Sequence, residues 1–164
     1  MAYKKYIKRN GKLYGPYIYH SKRIGDKVIR QFLQFGFDGE MTSGFLETAT
    51  GVEGSLEKGY VMMRPGSITA MSTNLEIVTI GVPKEDVHSG EGNGQIEIII
   101  YKNGEQIGFG NSLEGDLGIK KDYDVQSNGV VTFEPGDLIS VSANSKEGFV
   151  WQDVITMIEI TTTN

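Results

Sequence analysis

The feature that most restricts the fold of this chain is a period-two apolar pattern broken by glycine-containing turns. Ile96, Ile98 and Ile100 occupy every second position, which places their side chains on one face of a strand. Asn103-Gly104 follows directly and favours a two-residue hairpin turn, because both residues tolerate a positive φ. Helical periodicity nowhere exceeds a turn or two, so the pattern predicts an all-β protein.

The same pattern extends from residue 59 to the end of the chain. Turn signals that combine proline and glycine, such as Pro65-Gly66 and Pro135-Gly136, separate the apolar runs. The predicted strands cover residues 60–63, 67–72, 75–81, 95–102, 105–109, 129–133, 138–143 and 150–162. About eight short strands with turns between them indicate an antiparallel two-sheet sandwich or jelly roll. The side chains predicted to face inward are Ile96, Ile98, Ile100, Ile139, Val141, Ala143, Val154, Ile158 and Ile160.

Several of these strands are apolar on both faces. Ile99, Ile155 and Met157 lie on the side opposite to the predicted core. A monomeric sandwich usually keeps its outer faces polar, so these strands predict an interface between copies of the chain.

The two ends of the chain carry opposite charge. Residues 1–34 hold nine basic residues and one acid, a net charge of +8, whereas residues 35–164 hold seven basic residues and twenty acids, a net charge of −13. Such asymmetry suggests a basic module that meets an anionic partner and an acidic body. The basic residues are Lys4, Lys5, Lys8, Arg9, Lys12, Lys22, Arg23, Lys27 and Arg30.

The basic segment is interpreted as a small three-stranded β-meander. Its predicted strands cover residues 3–9, 12–21 and 28–35. Asn10-Gly11 is a hairpin signal, and Gly15-Pro16 predicts a bulge or a sheet edge because proline cannot donate to a ladder. We therefore expect three parts: a docking module over residues 1–36, a connector over 37–58 with a short strand near 45–50, and a jelly-roll domain over 59–164.

Three turn-and-strand motifs carry a family resemblance. They are Gly59-Tyr60-Val61 with Arg64-Pro65-Gly66-Ser67-Ile68-Thr69, then Glu97-Ile98 with Tyr101-Lys102-Asn103-Gly104, and Phe133-Glu134-Pro135-Gly136-Asp137-Leu138-Ile139-Ser140-Val141. Over residues 56–162 the chain resembles the trimeric jelly-roll domains of the complement and tumour-necrosis-factor type. Among these it is most similar to the heads of spore-surface collagen-like glycoproteins and to domains of phage fibres and virion surface proteins.

The resemblance implies a homotrimer. The chain lacks the collagen-like Gly-x-y repeat of the spore-surface proteins, and this favours a virion component. Separately, the stretch Lys12-Leu13-Tyr14-Gly15-Pro16-Tyr17-Ile18-Tyr19 is similar to basic β segments in proteins of mobile elements, some of which handle DNA.

Two partners fit the basic module. Its lysines and arginines interleave with Tyr14, Tyr17 and Tyr19, a combination that can hold nucleic acid. The alternative is docking on an acidic protein lattice, which we favour because the acidic body would repel phosphate. Trp151, the only tryptophan, is a candidate interface aromatic, but we favour a place in the core or at a trimer axis.

The sequence gives little support for metal binding or catalysis. The loop over residues 86–93 holds Asp86, His88 and Glu91 but lacks the spacing of a twelve-residue calcium loop. The acids Glu114 and Asp116, with Asp122, are likewise interpreted as a solvated loop. The chain has two histidines and no cysteine. It shows none of the nucleophile-elbow, zinc-protease, phosphate-loop or dinucleotide motifs, so we expect no enzyme activity, metal or cofactor.

The sequence thus predicts a non-enzymatic virion surface protein: a capsid decoration, turret or fibre-head subunit that docks on a protein lattice through its basic module. The alternatives are a DNA-associated protein of a mobile element and a cell-surface adhesion module. The expected location is the virion, or else the cytoplasm. The first ten residues are charged rather than apolar, so we expect neither a secretory signal nor a membrane span.

Overall fold

The computed structural model describes residues 2–9, 12–20, 28–80, 95–114, 116–145 and 149–163, with side chains described within these ranges from Val28 to Thr162. All regular structure in these residues is β. The strands are β1 (Ala2–Arg9), β2 (Lys12–His20), β3 (Val28–Met41), β4 (Ser43–Phe45), β5 (Glu47–Thr48), β6 (Tyr60–Val61), β7 (Gly66–Thr79), β8 (Gln95–Lys102), β9 (Glu105–Glu114), β10 (Gly118–Val125), β11 (Val131–Phe133), β12 (Leu138–Ser145) and β13 (Val150–Thr163). The all-β prediction is therefore confirmed.

Two antiparallel sheets form the body. A six-stranded sheet has the order β10-β7-β13-β3-β5, and β11 pairs with β7 as well. A five-stranded sheet has the order β4-β12-β8-β9, with β6 also on β12. The arrangement is a β-sandwich, as the turn spacing predicts. The Asn103-Gly104 turn joins β8 to β9 with φ angles of 53° and 80°, and the two positive values confirm the predicted hairpin turn.

The core lies between the two sheets and contains the side chains predicted to face inward. Ile96, Ile98 and Ile100 of β8 are buried, as are Ile139 and Val141 of β12. The inward positions of β13 and Ala143 are buried as well. Period-two alternation therefore identified the core face of these three strands correctly.

The predicted three-stranded meander is wrong in its third strand. β1 and β2 form a two-stranded sheet of their own, whereas β3 pairs along its length with β13, for example Leu33 with Ile158. The physical reason is burial, since Leu33 and Phe35 both lie in the core of the sandwich. The boundary expected at residue 36 consequently falls inside β3.

One feature of the basic hairpin agrees with its sequence. The register of β1 on β2 shifts between Lys5 and Ile7, which pair with Tyr17 and Tyr14. Gly15 and Pro16 of β2 stand opposite the single residue Tyr6 of β1, so the predicted bulge is confirmed. The Asn10-Gly11 turn lies outside the described residues.

The predicted connector over residues 37–58 belongs to the body. It contains β4, β5 and the end of β3. Leu46 is fully buried, and its amide donates to the carbonyl oxygen of Val141 at 2.9 Å. Short strands near residues 45–50 were expected, but their part in the core was not.

Two strand predictions need correction. The strands predicted at 67–72 and 75–81 are one strand, β7, because Thr73 lies in the core, where its hydroxyl is 3.0 Å from the hydroxyl of Thr156. The acidic stretch around Asp122 was interpreted as a loop, yet it forms β10, whose backbone pairs with β7 over residues 118–125.

Candidate interaction surfaces

The predicted basic residues do not all share one sheet. Lys4, Lys5, Lys8 and Arg9 belong to β1 and Lys12 to β2. The predicted aromatics Tyr14, Tyr17 and Tyr19 also belong to β2. Arg30 instead lies on β3, opposite Thr161 of β13 and exposed to solvent. Lys22, Arg23 and Lys27 fall outside the described residues.

Trp151 is a core side chain. Its exposed fraction is 0%, and its indole nitrogen donates to the carbonyl oxygen of Thr42 at 3.1 Å. Burial of the ring with a partner for its N–H is the usual state of a core tryptophan. The prediction that Trp151 is an interface aromatic is therefore wrong, because no part of its ring reaches the surface.

The carboxylate of Asp122, on β10, accepts hydrogen bonds from nearby backbone amides. One oxygen of Asp122 accepts from the amide of Ser112 at 3.3 Å and the other from the amide of Tyr123 at 2.9 Å. Within the described ranges, no group of three or more metal-binding side chains comes together. The second candidate loop, residues 86–93, lies outside those ranges.

One carboxyl group in the described body has a shifted pKa. Asp137 accepts a hydrogen bond from the amide of Glu134 at 2.8 Å and another from the side-chain amide of Asn103 at 2.8 Å. These two bonds, and more weakly the charge of Lys102, hold the pKa of Asp137 below its ordinary value. The contacts connect the Pro135-Gly136 turn to the β8–β9 turn, so their role is structural.

A groove of about 640 Å³ opens at one end of the sandwich, between β3 and β6. Its walls are largely apolar and include Leu33, Met62 and Phe133, and the charged side chain that lines it is Arg64. The described lining contains no carboxylate or imidazole, so it offers no acid or base pair for general catalysis.

The outer face of the six-stranded sheet exposes several large apolar side chains. Tyr123 pairs across β10 and β7 with Ser72, and Val125 pairs with Ala70. Directly paired residues share a face, so Tyr123 and Val125 point away from the core, and their exposed fractions are 76% and 66%. We call the exposed apolar side chains of this surface the apolar face: Phe32, Ile119, Tyr123, Val125 and Ile155.

Small side chains make the centre of the apolar face shallow. Ala70 and Ser72 of β7 lie between the larger side chains of β10 and those of Phe32 and Met157. The resulting trough has a volume of about 190 Å³. Asp124 and Glu159 also line the trough. A shallow, mostly apolar trough with aromatic margins is a surface that packing against another protein can bury.

The five-stranded sheet differs at its outer face. Ser140 and Ser142 of β12 point away from the core, yet only 0% and 3% of their surfaces are exposed. Ser140 pairs with Tyr101 and Ser142 with Phe45, and the two aromatic rings meet at 5.4 Å between centroids. These rings, together with residues 54–59, cover the serines.

A second groove, of about 360 Å³, lies where β5 meets β3. Its lining combines apolar side chains, among them Phe37, Val154 and Ile155, with the carboxylates of Asp38 and Glu47. The groove therefore presents an apolar floor with an acidic margin.

The exposed side chains of β10 escaped prediction although a signal was present. Ile119, Tyr123 and Val125 stand at odd positions, and Asp122 and Asp124 at even ones. This is a period-two pattern. Its charged residues suggested a loop, because nothing local shows that β7 supplies the backbone partner.

No protein-family model matches the chain, and no curated protein is significantly similar to it. In the part of the chain that the structure describes, no helix has the length and apolarity needed to cross a membrane.

Proposed function

We propose that this protein is a non-enzymatic structural component that assembles as a homotrimer, with a jelly-roll body and a basic N-terminal docking hairpin. The observation that carries the proposal is the apolar face. A sheet that exposes Tyr123, Val125 and Ile155 on one surface leaves apolar area in water that contact with other copies would remove.

The strand order supports a jelly-roll body. After β7 the chain moves to the five-stranded sheet for β8 and β9 and returns for β10 and β11. It then crosses again for β12 and ends on β13 in the six-stranded sheet. Such alternation between two antiparallel sheets is typical of a jelly roll. Three copies are favoured over two by the sequence resemblance to trimeric domains.

The proposed setting is the outside of a virion, as a capsid decoration, turret or fibre-head subunit. The support is the similarity of the turn motifs to those of phage fibre and virion surface domains. In this role the basic hairpin would dock on a protein lattice, where complementary charge sets orientation and association rate.

The mass of the full chain in solution tests the assembly. Native mass spectrometry and light scattering at micromolar concentration should both give three times the 18.1 kDa chain mass. A monomer under these conditions would contradict the proposal.

A DNA-associated protein of a mobile element is the second candidate, because of the +8 charge of residues 1–34. Binding through several phosphates would make log affinity fall with log salt by about 0.9 per phosphate on duplex DNA. We expect the full chain to leave random-sequence duplex DNA unbound at physiological salt. Tight and salt-sensitive binding would favour this second candidate.

A further inference from the structure

The charge of the chain changes sign at the start of the body. Residues 1–30 contain nine basic residues and one acid, whereas residues 31–57 contain five acids and neither lysine nor arginine. This acidic stretch supplies most of β3 and all of β4 and β5.

The structure brings three of these five acids, together with Asp153 of β13, to one corner. Asp38 and Glu47 line the same groove, and Glu53 forms a β-bridge with Glu47. Asp153 accepts a hydrogen bond from the amide of Gly39 at 3.1 Å, directly beside Asp38. We call Asp38, Glu47, Glu53 and Asp153 the acidic corner.

The groove at the acidic corner also has an apolar floor. Phe37 and Val154 line it together with Ile155, which is exposed. A simple cation would match the carboxylates but would leave this floor in water. The surface therefore fits a partner that carries both positive charge and apolar or aromatic side chains.

The basic hairpin of the same chain has this composition. Strands β1 and β2 contain five basic residues, no acid and five tyrosines. They form a separate two-stranded sheet, and an isolated two-stranded hairpin is marginally stable in water. Docking on the acidic corner would stabilise the hairpin and neutralise both surfaces.

We propose that the hairpin of one copy docks in the groove at the acidic corner of a second copy. This inference rests on the proposed assembly and makes the acidic body of a neighbouring copy the protein surface on which the basic hairpin docks. Reach does not distinguish a second copy from the chain's own body: from His20 to Val28 the chain spans at most about 29 Å, the strand from Val28 to Asp38 is about 33 Å long, and the hairpin extends roughly 30 Å beyond His20. The second copy is chosen because Ile155, an exposed residue of the apolar face that other copies cover in the proposed assembly, also lines this groove.

The test uses two full-length variants with reversed charge. The hairpin variant carries Lys4→Glu, Lys5→Glu, Lys8→Glu and Arg9→Glu. The corner variant carries Asp38→Lys, Glu47→Lys and Glu53→Lys. Each variant alone places like charges at the contact, so each should self-associate at least about tenfold more weakly than the wild type, as measured by sedimentation velocity.

Mixing the two variants distinguishes contact between copies from contact within one chain. In a mixed ring of three copies, two of the three hairpin contacts join opposite charges, so native mass spectrometry should show oligomers that hold both variants. If the hairpin docks on its own body, mixing the two variants does not restore association. Only a single chain that carries all seven substitutions then associates as the wild type does. That result would overturn the proposal.

A matched control and a milder pair of changes complete the experiment. Glu97, Glu105 and Glu114 are exposed on the five-stranded sheet, and their reversal to Lys should leave association unchanged. If the corner variant melts at a lower temperature than the wild type, Glu47→Gln with Glu53→Gln should still weaken association. Wild-type association that none of these changes alters would overturn the docking contact alone, whereas a monomeric wild type would overturn the proposed assembly itself.

Discussion

The two sheets of this sandwich share one core but differ in what covers their outer faces. On the five-stranded sheet, Phe45 and Tyr101 close over Ser140 and Ser142, and the chain itself completes the surface. On the six-stranded sheet, Tyr123 and its apolar neighbours remain exposed. The chain itself covers the outer face of one sheet, whereas the outer face of the other exposes apolar side chains to solvent, and the proposed assembly rests on this exposed surface.

Small residues have different roles on the two outer faces. Ser140 and Ser142 are small because aromatic rings lie above them, whereas Ala70 and Ser72 are small with nothing above them among the described residues. The first pair makes room for the chain's own side chains. The second pair leaves a trough that fits side chains from outside.

The largest expected effect is on the core that both sheets share. Ile139 is fully buried, so Ile139→Ala should lower the free energy of unfolding by about 2–5 kcal/mol, through lost burial and the cavity left behind. Urea denaturation measures the change. Ile99→Ala, at a half-buried outward position on the neighbouring strand, should cost less, and equal costs would show that the two faces are assigned incorrectly.

The next effect concerns the segment that covers the five-stranded sheet. A Cβ atom at Gly59 would lie 2.2 Å from the carbonyl oxygen of Ile139, so Gly59→Ala should destabilise the fold by about 1–3 kcal/mol. At Gly108 a Cβ atom meets nothing within 4 Å, and Gly108→Ala is the control. A thermal melt in which both variants match the wild type would contradict the close approach of Gly59 to β12.

A smaller and pH-dependent effect is expected at Asp137. Its hydrogen bonds to Glu134 and Asn103 favour the ionised form and lower its pKa in the folded state. The stability it contributes is therefore present above the ordinary carboxyl pKa of 3.8 and is lost as the pH falls through the lowered value. Asp137→Ala should cost about 1 kcal/mol at neutral pH.

The measurement for Asp137 is a pair of denaturation series at neutral and strongly acidic pH. The difference between wild type and Asp137→Ala should shrink in acid, because the wild-type carboxyl is then protonated. A difference that grows in acid would have the wrong sign for a lowered pKa.

The smallest effect on stability is expected at the outer face of the five-stranded sheet, which the chain itself covers. The hydroxyl of Ser140 is buried and has no hydrogen-bond partner among the described residues. Ser140→Ala removes this unpaired group and should stay within about 1 kcal/mol of the wild type. Ser140→Leu should destabilise much more, because the aromatic rings above leave no space. If both variants are as stable as the wild type, the outer face at Ser140 is not covered by other side chains.

Local pattern predicted much of the fold. The alternation of Ile96, Ile98 and Ile100 and the turn at Asn103-Gly104 depend on neighbouring residues, and both are confirmed. The partner of β3 could not be predicted in this way, because Leu33 pairs with Ile158, which is far along the chain. Pairing between distant strands depends on the whole core rather than on local preference.

The candidate surfaces were harder to predict than the core. Apolar side chains on both faces of β13 indicated an interface, but the contribution of β10 stayed hidden because Lys120, Asp122 and Asp124 resemble a polar loop. For Trp151 the sequence left an interface and the core as candidate roles and favoured the core or a trimer axis. The structure confirms the core position, where the indole N–H donates to the carbonyl oxygen of Thr42.

Under the proposed function, copies of the chain meet at the outer face of the six-stranded sheet. Val125 on that face and Val61 on β6 of the other sheet are both exposed strand valines. Light scattering of full-length Val125→Glu and Val61→Glu compares the two faces directly. The account predicts a monomer for Val125→Glu and a trimer for Val61→Glu. A folded Val125→Glu protein that remains trimeric would contradict it.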